Sequence, residues 1–154
     1  MRILPSTPQD DAVRTAGADR AARPPLLYVA DDDVATLDLL CEIARDAGWV
    51  ARGFTRISQL RATLGGAAMP TLLILDDDLP DGRGGDLARE LRDDPGTVKV
   101  PLLVCTAAHP MRQAEIGLFA PVVSKPFDLS EIEAFLAAAA ARQETSASYG
   151  QRAG

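Results

Sequence analysis

Four short apolar runs, at residues 26–30, 72–75, 102–105 and 122–123, contain no polar alternation. A strand with one face in water alternates, so unbroken runs of this length fit strands covered on both faces, as in a parallel sheet between helical layers. Residues 50–54 form a weaker fifth run, interrupted by Arg52 and Gly53 and suited to a sheet edge. Helical patterns fall between the runs. Leu37, Leu40, Cys41 and Ala44 recur at i, i+3, i+4 and i+7, which marks an amphipathic helix. Ile57, Leu60 and Leu64 mark a second after the candidate cap Thr55, and Leu87, Ala88 and Leu91 a third that ends near Asp94-Pro95-Gly96. Between Thr106 and Val122 the pattern is faint, bracketed by Pro110 and Gly117, so a fourth helix there is short. The last is the clearest: Asp128 and Glu131 have capping-box spacing, and Ile132, Phe135, Leu136 and Ala139 form its stripe. The order predicts an α/β fold of (βα)₅ type, with right-handed crossovers and a doubly wound five-stranded parallel sheet. Its site lies beyond the carboxyl ends of the strands.

At 154 residues and 47% apolar composition the chain suits one compact domain. Residues 1–24 and 142–154 are rich in polar and small residues, too poor in large apolar side chains to offset the entropy of ordering. They are expected to be a flexible N-terminal arm and a frayed C-terminal tail around a domain at 25–141. A net charge of −6 disfavours direct binding to nucleic acid. Cys41 and Cys105 lie in apolar segments without metal spacing and are expected to be buried thiols of a reducing cytoplasm. No apolar run has the ~18 residues of a membrane span. Tyr28 and Trp49 are expected to pack, and His109, in a loop before Pro110, to be exposed.

The chemistry collects where the strands end. The first run is followed by Asp31-Asp32-Asp33, the third strand by Asp76-Asp77-Asp78, the fourth ends in Thr106, and the fifth leads to Lys125-Pro126-Phe127. Carboxylates within ~4 Å repel by about 1–4 kcal/mol per pair between aqueous and protein-surface dielectric limits, so such a cluster calls for a cation. All-oxygen ligation suits Mg²⁺, and a nearby ammonium and hydroxyl suit phosphoryl oxygens. Adjacent side chains on extended backbone point opposite ways, so only alternate acids converge. Asp33 and Asp77 are therefore expected to be solvated or capping, Asp33 as N-cap of the first helix.

The blocks Leu27-Tyr28-Val29-Ala30-Asp31-Asp32-Asp33, Leu73-Ile74-Leu75-Asp76-Asp77-Asp78-Leu79-Pro80, Cys105-Thr106-Ala107 and Ser124-Lys125-Pro126-Phe127 resemble, in order and spacing, the four signature blocks of response regulator receiver (CheY-like) domains of two-component signalling. The likeness spans about residues 25 to 140. It implies a flavodoxin-like sandwich in which Asp76 is the phosphoacceptor and Mg²⁺ is held by Asp31, Asp32, Asp76 and the backbone carbonyl of Asp78. Thr106 and Lys125 would bind the phosphoryl oxygens, and Lys125-Pro126 would be cis. It also implies a histidine kinase or histidine phosphotransfer protein as donor, a downstream protein target reached by protein contact, and pairing with a second copy as an open option. Such a module is not an enzyme.

The pattern departs from the family at three places. Val122 stands where receivers carry a switching Tyr or Phe; a β-branched side chain has few rotamers and no ring to swing. This leaves room for an alternative, a receiver-like adaptor that acts independently of phosphorylation. The stretch from Thr106 to Lys125 is short. The loop Asp81-Gly82-Arg83-Gly84-Gly85 carries extra glycine, which suggests flexibility. A phosphatase of the haloacid dehalogenase type, hinted at by Asp76-x-Asp78, is disfavoured because Pro80 stands where that family has Thr and the acids follow the third strand.

Overall fold

The computed structural model describes residues 23–66 and 68–152. Its main sheet consists of β1 (Leu26–Ala30), β2 (Val50–Phe54), β3 (Leu72–Leu75), β6 (Leu102–Thr106) and β7 (Val122–Ser124), in the order β2-β1-β3-β6-β7. Every pairing in it is parallel. Helices α1 (Val34–Asp46), α2 (Ile57–Leu64), α3 (Gly84–Asp93) and α4 (Pro110–Ile116) make the connections, and α5 (Leu129–Arg152) follows β7. A small antiparallel hairpin of β4 (Asp78–Leu79) and β5 (Gly82–Arg83) precedes α3. The doubly wound five-stranded sandwich expected from the sequence is the fold observed, with residues 50–54 at the edge and a fourth helix of seven residues.

The apolar runs are unbroken because each serves two cores. Side chains alternate across a strand, so Leu27, Val29, Leu72, Ile74, Leu103 and Cys105 face one cluster, closed by Leu37, Leu40, Cys41 and Ala44 of α1 and Ile132, Leu136 and Ala139 of α5. Tyr28, Ala30, Leu73, Leu75, Leu102 and Val104 face the other, closed by Ile57, Leu60 and Leu64 of α2, Leu87, Ala88 and Leu91 of α3, and Ile116 of α4. Trp49 and Tyr28 are buried packing residues, and Tyr28 meets Phe54 edge to face. Cys41 and Cys105 are buried free thiols. Burial raises the Cys41 thiol pKa and pushes that of Cys105 up to about 12, which keeps both protonated.

Two local expectations need correction. Helix α5 runs to Arg152, so residues 142–152 are helical and not the irregular tail their composition suggested. The run Ala137 to Ala141, followed by Arg, Gln and Glu, has high helix propensity. Gln143 also ties the extension to the body through the Thr71 hydroxyl and the carbonyl of Arg23. The expected N-terminal arm falls on residues 1–22, outside the described residues, apart from its last two positions. At the start of α2, Thr55 is not the cap. The free N–H groups of Ile57 and Ser58 instead donate to the carboxylate of Asp81, 2.8 and 2.9 Å away, from the hairpin turn. Asp81 lies far along the chain, so local spacing held no sign of it.

The α5 stripe predicts a contrast. Ile132 is fully buried, whereas Leu129 on the same helix is exposed. Ile132→Ala should lower unfolding free energy by about 2–5 kcal/mol in urea titrations, and Leu129→Ala by less than about 0.5 kcal/mol.

Candidate functional site

Parallel strands end on a common edge, and main-chain bonds continue the ladder one residue past each run. The Asp31 N–H donates to the carbonyl of Phe54 at 3.0 Å, and that of Asp76 to the carbonyl of Ala30 at 2.8 Å. The sheet therefore delivers two acids side by side at the ends of β1 and β3. Asp31, Asp32 and Asp76 each offer a carboxylate oxygen within 4.8 Å of the others. Asp31 and Asp76 are buried and Asp32 is exposed. Lys125, just after β7, extends Nζ to within 2.7 Å of Asp31 Oδ2 and 3.6 Å of Asp76 Oδ2. Its N–H donates to the carbonyl of Thr106, so the β6–β7 register sets the buried Thr106 beside it. The Thr106 hydroxyl accepts the N–H of Ala108 at 3.0 Å. Asp78 opens β4 with its side chain exposed.

Charge in this pocket is unbalanced. Burial raises the Asp76 pKa to about 6, with Lys125 pulling it down and Asp31 pushing it up. Burial also acts against a charged Lys125, but the hydrogen bond to Asp31 and the charges of Asp31 and Asp76 outweigh it, and its pKa is raised. Three hard oxygen donors faced by one ammonium form a donor set that fits a divalent cation such as Mg²⁺.

The family model described as the response regulator receiver domain matches residues 27–137, more than half of the chain. The chain belongs to the response regulator receiver family. Among solved structures, one described as a response regulator from Chloroflexus aurantiacus is 25% identical, with a TM-score of 0.67 over 75% of this chain and 99% of that one. The chemotaxis response regulator CheY4 of Vibrio cholerae is 18% identical, with a TM-score of 0.67 over 76% of this chain and 99% of that one. A response regulator receiver protein from Pseudomonas putida is 22% identical, with a TM-score of 0.67 over 75% and 97%. No curated protein sequence matches the chain. Among the described residues, no helix is long and apolar enough to cross a membrane.

This receiver gathers Asp31, Asp32, Asp76 and Lys125 at one strand edge, with Thr106 on the neighbouring strand end. Lys125-Pro126 is cis. Asp33 sits at the N-cap position of α1, where its carboxylate accepts from the Thr36 hydroxyl without bonding a helix N–H. Asp77 departs from expectation: it is not solvated but 1% exposed, and it is paired with Arg112 of α4. It also accepts the N–H of Gly85 at 3.0 Å, so the capping half of the expectation holds. Burial would raise its pKa, but Arg112, Gly85 and Arg83 together lower it. The one sequence signal for this pair was a lone cation on the faint fourth helix.

The glycine-rich segment forms the second strand of the hairpin and the first turn of α3, and not the loose loop its composition suggested. A Cβ on Gly84 would collide with the carbonyl of Asp76, so a glycine is required there to let α3 start against the site. His109 is the N-cap of α4 and its Nδ1 accepts the N–H of Met111 at 3.3 Å, a partner that sequence reading did not find.

Because the folded state binds the Asp76 proton more tightly than the unfolded chain does, stability falls as pH rises from the ordinary value of 3.8 to about 6. In metal-free buffer Asp76→Asn should unfold later than wild type above that window, by about 1–3 kcal/mol. The advantage should vanish below it, as read from urea midpoints across pH.

Proposed function

We propose that this receiver, with residues 25–141 as its working unit, accepts a phosphoryl group on Asp76 and signals by protein contact. The observation that carries the reading is the convergence of Asp31, Asp32, Asp76 and Lys125. An Asp76 oxygen attacks phosphorus on a phosphohistidine of a histidine kinase or histidine phosphotransfer protein. The P–N bond breaks, its electron pair returns to the imidazole nitrogen, and an acyl phosphate remains on Asp76. Lys125 releases part of its hold on Asp31 and Asp76 to pair with a phosphoryl oxygen, and the Thr106 hydroxyl donates to another. Asp31, Asp32, Asp76 and the backbone carbonyl of Asp78 would hold Mg²⁺, which would neutralise the charge shared by the acids and the incoming phosphoryl group.

The protein acts as a signalling module and not as a turnover enzyme. The buried unpaired thiols support a cytoplasmic location. A second reading, an adaptor whose partner binding ignores phosphorylation, is favoured by one observation: residue 122 is a half-buried valine with no ring to reorient. Equal partner affinity of wild type and Asp76→Asn would support it.

Incubation with acetyl phosphate and Mg²⁺ should add one phosphoryl group by intact-mass measurement. Asp76→Asn should abolish the addition, and chelation of the metal should reduce it by at least about a hundredfold. Unchanged uptake in Asp76→Asn would remove Asp76 from the role.

A further inference from the structure

We propose that an ion-pair clasp between Asp77 and Arg112 carries the state of the acidic site to α4, doing the work that a ring at position 122 would otherwise do; this rests on the phosphoacceptor reading of Asp76. Asp77 follows Asp76 directly and uses both carboxylate oxygens. Oδ1 accepts Arg112 Nη2 at 2.8 Å and the Gly85 N–H at 3.0 Å, and Oδ2 accepts Arg112 Nε at 3.0 Å. A two-pronged pair of this kind is strict in direction as well as distance. Arg83 lies 3.5 Å from Oδ2 on the outer side. Arg112 further contacts Asp86 at 3.0 Å and Glu115 at 3.4 Å.

The fold makes room for this pair. A Cβ on Gly85 would stand 2.9 Å from Arg112 Nη2, 3.0 Å from Asp77 Oδ1 and 2.7 Å from Ile116 Cγ1. The Asp76–Asp77 backbone is also pinned: the Gly84 N–H donates to the Asp77 carbonyl at 3.0 Å, and Gly84 packs against the Asp76 carbonyl. A shift of the Asp76 main chain is therefore passed to the carboxylate that Arg112 grips.

Helix α4 is suited to respond. It has seven residues and buries only Ile116, so polar contacts set its position more than core packing does. Gln113, next to Arg112, donates to the carbonyl of Ala108 at 2.8 Å and to Ser124 Oγ at 3.2 Å. Two consecutive α4 residues thus touch the segments that carry Asp76, Thr106 and Lys125. Asp77 is 1% exposed, so loosening Arg112 would leave its buried charge held only by the Gly85 N–H and Arg83, which makes release of the clasp costly.

The test uses the full chain, ¹⁵N-labelled, with Mg²⁺ and beryllofluoride as the phosphoryl mimic. Fluorine NMR reads loading of Asp76, and amide shifts of residues 111–116 read α4. In wild type, loading should move the α4 amides. In Arg112→Met, loading should persist with affinity changed less than about tenfold, while the α4 shifts fall at least about threefold. Gly85→Ala keeps both charges but wedges the pair, and it should give the same loss; should Arg112→Met fail to fold, Gly85→Ala alone is read. A variant that loads and keeps the wild-type α4 response overturns the clasp and leaves the phosphoacceptor reading intact. A wild type that loads without moving α4 does the same. No loading in wild type overturns both.

Discussion

Lys125 meets Asp31 at 2.7 Å across 94 positions of sequence, and the rest of the site depends on that contact. Two buried acids on adjacent parallel strands repel each other in a low dielectric, and the exposed Asp32 adds a third negative charge at the rim. One ammonium offsets part of this, while burial of the Asp76 carboxylate, more than the neighbouring acids, raises its pKa to about 6. A site built this way has an appetite for a divalent cation and a phosphoryl group together, because each brings charge that the other and Lys125 can balance. The parallel sheet makes it possible: all five strands end on one edge, and register alone sets which residues stand next to one another.

The same edge divides the molecule into firmly and weakly anchored parts. Helices α1, α2, α3 and α5 each insert a stripe of buried side chains into one of the two cores, whereas α4 contributes Ile116 and otherwise hangs on polar contacts. Reorganising a packed core is costly, while exchanging hydrogen bonds near the surface costs much less. The helix with least core burial also touches three of the segments that form the site, which is where a signal of small amplitude can be converted into a change of surface. Asp81 and Gly84 have the opposite role: the first fixes the start of α2 and the second seats α3 against Asp76, so the hairpin beside the site is a brace.

Much of this was legible in the sequence, for identifiable reasons. Runs without alternation fit strands with two dry faces, so Leu72 to Leu75 pointed to a central parallel strand, and acids or a lysine directly after such runs pointed to one rim. Features that depend on distant partners were not legible. Asp81 as the cap of α2 and the burial of Asp77 against Arg112 both join elements that local spacing does not connect. The charge of Asp77 pointed towards solvent, and only a guanidinium from another helix makes its burial affordable. Residues 142–152 are helical despite their polar composition, because the preceding alanines favour continuation of the helix.

Paramagnetic relaxation with Mn²⁺ tests the convergence of the strand ends most directly. Added in substoichiometric amounts to labelled protein, Mn²⁺ should bleach the amides of Asp31, Asp32, Asp76, Asp77 and Lys125 together while Glu144, beside the opposite end of β3, stays sharp, and Asp32→Asn should weaken the effect. Bleaching spread evenly over the acidic surface, or centred away from these residues, would contradict the account.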